Sequence, residues 1–131
     1  MPDAYKILVA DDDPDIIDLI ASILRADHHD VVTASDGAQA LEAAFRERPD
    51  VVIIDLKMPK TDGFEVIRRL RARFGARQMA IIVLTASNDE GSAAQGFAGG
   101  ADDFLVKPFT PSNLRARVTT WLLRQSDHRE R

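Results

Sequence analysis

Cysteine is absent from the 131 residues, which excludes disulfides, thiolate catalysis and cysteine-based zinc or iron–sulfur sites. The absence is compatible with a reducing cytosol. No apolar run approaches the roughly 18–20 residues of a membrane span. The opening Met-Pro-Asp-Ala-Tyr-Lys lacks the apolar region of a signal peptide. Positive charge is also scarce: 17 Lys and Arg against 21 Asp and Glu leave a net charge of −4. A basic face for direct nucleic-acid contact is therefore not expected. A GxxxxGK phosphate loop is missing, so a nucleotide is not expected as direct substrate. The expectation is a cytoplasmic protein with no membrane contact.

What is present is an ordinary globular balance, 45% hydrophobic and 29% charged, at a length that fits one domain. Residues 1–124 are expected to form it, with 125–131 a frayed polar tail or the start of a linker. Five short apolar runs stand out: Ile7 to Ala10, Val31 to Ala34, Val51 to Ile54, Ala80 to Leu84 and Phe104 to Val106. They are rich in Val and Ile and mostly do not alternate, as in strands buried on both faces of a parallel sheet.

Helical stripes lie between them. Ile16, Ile20, Ile23 and Leu24 make the first, and Leu41, Ala44 and Phe45 the second. Phe64, Ile67, Leu70 and Phe74 make the third, and Leu114, Val118, Trp121 and Leu122 the last. A fourth, weaker helix rich in small residues is expected around Ala93, Ala94, Phe97 and Ala98. Asp13 before Pro14, and Thr110 before Pro111, place a capping side chain ahead of a proline at the first helical position. Asn88 is a further candidate N-cap, and Gly75 and Gly99 fall where helix C-caps are expected. Five β-α alternations predict an α/β fold: a doubly wound three-layer sandwich with right-handed crossovers.

The polar residues gather rather than scatter. Asp11, Asp12 and Asp13 follow the first strand, Asp55 ends the third, Thr85 ends the fourth and Lys107 follows the fifth. In an open α/β sheet, ligand sites lie outside the carboxyl ends of the strands. Carboxylates held together there repel, and a hard divalent cation relieves the repulsion. An oxygen-only donor set without His or Cys suits Mg²⁺, with Mn²⁺ as an alternative, better than zinc. Carboxylate, metal, lysine and hydroxyl together describe a site for moving a phosphoryl group onto a carboxylate.

The segments ILVADDDP, VVIIDLKMPKTDGFEVI, IIVLTAS and GADDFLVKPF, in that order, resemble the signature segments of response-regulator receiver domains of two-component signalling. The resemblance spans roughly Lys6 to Arg124. It implies a flavodoxin-like five-stranded parallel sheet of order 2-1-3-4-5. It implies that Asp55 accepts a phosphoryl group from a histidine kinase or phosphotransfer protein, and that Asp11, Asp12, Asp55 and the backbone carbonyl of Lys57 hold Mg²⁺. Thr85 and Lys107 are implied to bind the phosphoryl group, with Phe104 as the switch aromatic, where Tyr is commoner. The Lys107–Pro108 bond is implied to be cis. Lys57 and Ser87 stand where the family tunes loss of the phosphoryl group. The switched surface is expected around the fourth helix and fifth strand, facing a downstream target protein or an effector domain.

Other readings stay in view. Asp13 is read chiefly as a helix cap. His28 and His29 are read as solvated loop residues, and Trp121 as a partly buried packing residue. The glycines of GFAGGADD lie in the wrong context for a dinucleotide loop and are read as a C-cap and turn. The last strand and helix resemble those of receivers from winged-helix transcription factors through Asp102, Asp103 and Arg117. Asn113, Ala93 and Thr119 depart from the charge pattern of that group's symmetric dimer, so a phosphorylation-dependent homodimer is an open expectation. A phosphorylation-independent binding module and an aspartyl-phosphate hydrolase are the alternatives; the latter would want a substrate-capping segment. The chain is not expected to be an enzyme beyond its own phosphorylation and dephosphorylation. These residues hold no second domain, which leaves a stand-alone receiver and a part of a longer regulator equally open.

Overall fold

A computed structural model describes residues 5–58, 61–76, 78–86, 91 and 99–129. The main sheet has five parallel strands: β1 (Lys6–Ala10), β2 (Asp30–Ala34), β3 (Val51–Asp55), β4 (Ala80–Ala86) and β5 (Asp103–Lys107). They lie in the order β2-β1-β3-β4-β5, as the family resemblance implies. Four helices whose bounds lie among the described residues connect or follow them: α1 (Pro14–Ala26), α2 (Gly37–Glu47), α3 (Gly63–Arg73) and α4 (Pro111–Arg129). The weak helix expected around Ala93, with its cap Asn88 and with Ser87, lies outside the described residues.

The absence of alternation in the strands is explained by two cores. Leu8, Ala10, Val52, Ile54, Ile81 and Val83 face α2 and α3, where Leu41, Ile67 and Leu70 meet them. Ile7, Val9, Val51, Ile53, Ile82 and Leu84 face α1 and α4, against Ile20, Leu24, Leu114 and Val118. Both faces of the inner strands are therefore covered, as parallel sheets require. Phe45, expected in the α2 stripe, is 40% exposed. It sits at the rim, tilted against Phe74, because Ala43 and Ala44 already fill the buried side of that turn.

Short polar side chains start each of these four helices. Asp13, Asp36 and Asp62 accept from the backbone N–H of Asp15, Gln39 and Phe64, and Thr110 Oγ1 accepts from Asn113 N–H at 3.0 Å. The C-terminal boundary differs from expectation. α4 continues to Arg129, and Gln125, expected to begin a frayed tail, is buried with its amide donating to the Ala76 carbonyl. Trp121 packs partly buried as expected, but its Nε1–H also donates to Asp103 at 2.8 Å. His29 is half-buried edge-on to Tyr5, and that burial lowers its pKa. The chain leaving β3 forms a short antiparallel ribbon, Lys57–Met58 with Thr61–Asp62, before entering α3. Gly63 makes that path feasible, since a Cβ there would lie 2.6 Å from Leu56 Cα and 2.8 Å from its carbonyl oxygen.

Candidate functional site

Three strand ends build the site. β1 ends at Ala10, and the next residue, Asp11, is fully buried with its Oδ1 accepting the Asp13 N–H at 2.9 Å. β3 ends on Asp55, whose Oδ1 accepts the Lys57 N–H at 3.0 Å. β5 ends on Lys107, whose Nζ reaches Asp11 Oδ2 at 3.0 Å and Asp55 Oδ2 at 3.1 Å. Both aspartates use the same local device: a carboxylate bonded to the N–H two residues on, which fixes the side chain against its own backbone. The remaining oxygen of each is thereby aimed at Lys107. Asp12 is exposed at the mouth. Carboxylate oxygens of Asp11, Asp12 and Asp55 lie within 4.8 Å of one another, a spacing and chemistry that fit a hard divalent cation held by oxygen. The exposed Lys57 follows two residues after Asp55 and begins the short antiparallel ribbon.

The electrostatics follow from the count of charges. Burial pushes the Asp55 carboxyl above its ordinary value, and Asp11 adds to the rise against the opposing Lys57 N–H and Lys107. Burial works against the charge on Lys107, yet its pKa is raised, because its bond to Asp11 and the attraction of Asp55 prevail. The two shifts agree physically: the lysine faces two carboxylates, whereas Asp55 faces one lysine and another carboxylate.

A consequence can be measured without phosphorylation. Asp55→Asn is expected to raise the melting temperature at pH 7 in EDTA. A carboxyl whose folded pKa lies above its unfolded value of about 3.9 contributes most favourably below that value. The contribution is lost as pH rises through the folded pKa. The gain from Asn therefore appears above the folded pKa and fades in acid. Thermal melts at pH 3 and pH 7 check this, and an unaltered or lower melting temperature at pH 7 would overturn it.

Thr85 pairs with Val106 across β4 and β5 at this same sheet edge. It is buried, and its hydroxyl lies 3.5 Å from the Ala86 carbonyl, longer than a firm O–H···O bond. Phe104 is half-buried against the α2–α3 core. The Lys107–Pro108 peptide is cis. Sequence reasoning missed the Lys57 and Asp13 N–H groups as carboxylate holders, although the i to i+2 spacing signals them. It also missed the internal partners of Asp102 and Asp103. Arg71 pairs with Asp102, and Arg117 with Asp103, so both acids resembling dimer contacts have partners within the chain.

The model of the response regulator receiver domain matches residues 7–119. The chain is 42% identical over 122 residues to the alkaline phosphatase synthesis transcriptional regulatory protein PhoP of Bacillus subtilis, covering 93% of this chain and 50% of that protein. It is also 42% identical to the DNA-binding response regulator MtrA of Mycolicibacterium smegmatis, covering 93% and 52%. The chain thus spans about half the length of these relatives. Among solved structures, the chemotaxis response regulator CheY4 of Vibrio cholerae superposes with a TM-score of 0.84 at 33% identity, covering 91% of this chain and 99% of that one. A response regulator from Chloroflexus aurantiacus gives 0.86 at 32%, covering 92% and 99%.

Proposed function

The chain belongs to the response regulator receiver family, and from that premise we propose that it accepts a phosphoryl group on Asp55 from a histidine kinase or phosphotransfer protein. The observation that supports this most directly is the cluster of Asp11, Asp12 and Asp55 with Lys107 bridging two of them. In the transfer, a carboxylate oxygen of Asp55 attacks phosphorus, the donor's P–N bond breaks, and an acyl phosphate forms. The Lys57 N–H holds the carboxylate in place. Lys107, already between Asp11 and Asp55, pairs with the incoming phosphoryl oxygens through charge-assisted bonds worth roughly 1.5–3 kcal/mol. Thr85 supplies a second donor by turning its hydroxyl inward. Asp11, Asp12, Asp55 and the Lys57 carbonyl would hold Mg²⁺, which supplies neutralisation of the crowded negative charge.

Phosphorylation takes Asp55 from one negative charge to about two. Pairing by Lys107 and Thr85 is then on the order of the ~5.5 kcal/mol that inverts a 1:99 equilibrium. The switched surface would lie around β5, with Phe104, and the fourth, weaker helix expected around Ala93. Output would pass through protein contacts to a target or an effector domain. DNA binding, named for the relatives, would belong to a separate effector, since these residues carry a net charge of −4. Among the described residues no helix is long and apolar enough to cross a membrane, and a cytoplasmic location is proposed. No turnover of a separate substrate is proposed.

Intact mass after incubation with Mg²⁺ and acetyl phosphate tests the reading. One hydroxylamine-labile phosphoryl adduct is expected, dependent on Mg²⁺ and lost in Asp55→Asn. No adduct from acetyl phosphate or a phosphorylated histidine donor would favour the phosphorylation-independent binding module instead.

A further inference from the structure

β5 is an edge strand, hydrogen-bonded in the main sheet to β4 alone. A single ladder specifies register less firmly than two. Yet Lys107, its last residue, must arrive within about 3 Å of carboxylates carried by β1 and β3. A slip of two residues would keep every side chain on its face while moving Lys107 by about 6.6 Å, at 3.3 Å per residue. Something beyond the ladder has to hold the start of β5.

That end of the sheet carries a clasp. Arg71, on α3, donates from Nε to the Gly100 carbonyl at 2.8 Å, from Nη1 to the Met79 carbonyl at 2.6 Å, and from Nη2 to the Asp102 carboxylate. Met79 lies just before β4, and Gly100 and Asp102 lie just before β5, so one guanidinium ties the two strand starts together. Asp102 closes the tie from its own side. Its Oδ2 accepts the Ile81 N–H at 2.7 Å and its N–H donates to the Ile81 carbonyl at 2.8 Å. The Arg71 and Asp102 side chains are only 15% and 16% exposed. Gly100 has φ +115, and a Cβ there would lie 2.4 Å from Arg71 Cγ. The turn is therefore folded directly onto the arginine stem, and only glycine suits both its backbone and its contact. Three acceptors in three directions call for the fixed fork of arginine rather than the single ammonium of lysine.

We infer that Arg71, with Asp102, is a positioning residue that sets the register of β5 and so delivers Lys107 to the acidic pocket. The functional consequence rests on the receiver reading of Lys107; the register itself does not.

Amide hydrogen exchange and phosphorylation of Arg71→Met, Arg71→Lys and Asp102→Asn in the full chain test the inference. Arg71→Met keeps the stem and removes the fork. Its β5 amides at 103–107 should exchange at least tenfold faster, with those of β1 and β3 within about twofold of the unaltered chain. Arg71→Lys should recover part of the protection, and Asp102→Asn should show the same local pattern with a smaller effect. Mg²⁺ affinity should hold or rise, because a displaced Lys107 no longer competes for Asp11 and Asp55, while the rate of adduct formation from acetyl phosphate falls about tenfold. Uniform acceleration across all strands, or unaltered exchange in β5, would overturn the assignment. Loosened β5 with an unaltered phosphorylation rate would overturn the link to Lys107. If the unaltered chain takes no phosphoryl group, the receiver reading fails, and the exchange pattern still decides the clasp.

Discussion

Lys107→Met is expected to lower the stability of the metal-free protein by on the order of 3 kcal/mol, near the lower end for breaking a buried pair. Two carboxylates, Asp11 at 0% and Asp55 at 8% exposure, would lose the cation that now lies 3.0 and 3.1 Å from them. Neither can turn toward solvent easily, because Asp11 Oδ1 is held by the Asp13 N–H and Asp55 Oδ1 by the Lys57 N–H. The lysine side chain is itself 28% exposed, so water replaces part of what is lost, which keeps the effect below the largest values for such pairs. Thermal melts in EDTA should show a fall of roughly 10 °C for a domain of this size. The gap should narrow in Mg²⁺, and adding Asp55→Asn to Lys107→Met should recover much of the loss, since an uncompensated charge costs more than an absent pair. A variant as stable as the unaltered chain in EDTA would show that the lysine does not offset the buried acids.

The second large effect lies in the core. Ile53→Ala is expected to cost about 3–4 kcal/mol, within the 2–5 kcal/mol range for large-to-small changes at buried sites. Ile53 is fully buried on the middle strand, with Val9 and Ile82 opposite it on β1 and β4. All three side chains belong to the α1–α4 core. Atoms hydrogen-bonded into a ladder on both sides cannot close inward, so the lost volume would persist as a cavity. Against a total stability of about 5–15 kcal/mol, that loss is a large fraction. Leu19→Ala on α1 is the control: Leu19 is 44% exposed, and the change should stay within about 0.5 kcal/mol. Urea denaturation reads both. A midpoint for Ile53→Ala as close to the unaltered chain as that of Leu19→Ala would sink the prediction.

Much of this molecule was legible from local pattern. Short Val- and Ile-rich runs announced strands covered on both faces, and the two cores confirm why Val51 to Ile54 does not alternate. Asp13 before Pro14 and Thr110 before Pro111 announced two helix starts, because capping acts over two or three residues. The order of the strands was what the family resemblance implied. The positions of Asp11, Asp55 and Lys107 at the carboxyl ends of β1, β3 and β5 followed in turn, since strand ends in a parallel sheet share one edge.

What pattern could not supply was distance and partnership across the chain. Lys107 touches Asp11, 96 residues away, and Asp55, 52 residues away. Nothing local dictates that it bridges both rather than pairing with one. Arg71 and Asp102 are 31 residues apart and Asp103 and Arg117 14 apart. In sequence Arg71 looks like an ordinary surface charge, and Asp102, Asp103 and Arg117 mark a resemblance to dimerising receivers; only the placement of Arg71 on α3 and Arg117 on α4 beside the start of β5 gives the acids internal partners. Phe45 fits the helical stripe and still lies at the rim, and Gln125 looks like tail and is buried. The sequence by itself determined the body of each described element, though not where the last helix ends, and which strand ends carry the acids and the lysine, because those depend on short-range periodicity and chain order. Only the tertiary structure decided which charges meet and which stripe residues reach the core, because contact between elements depends on how their faces pack.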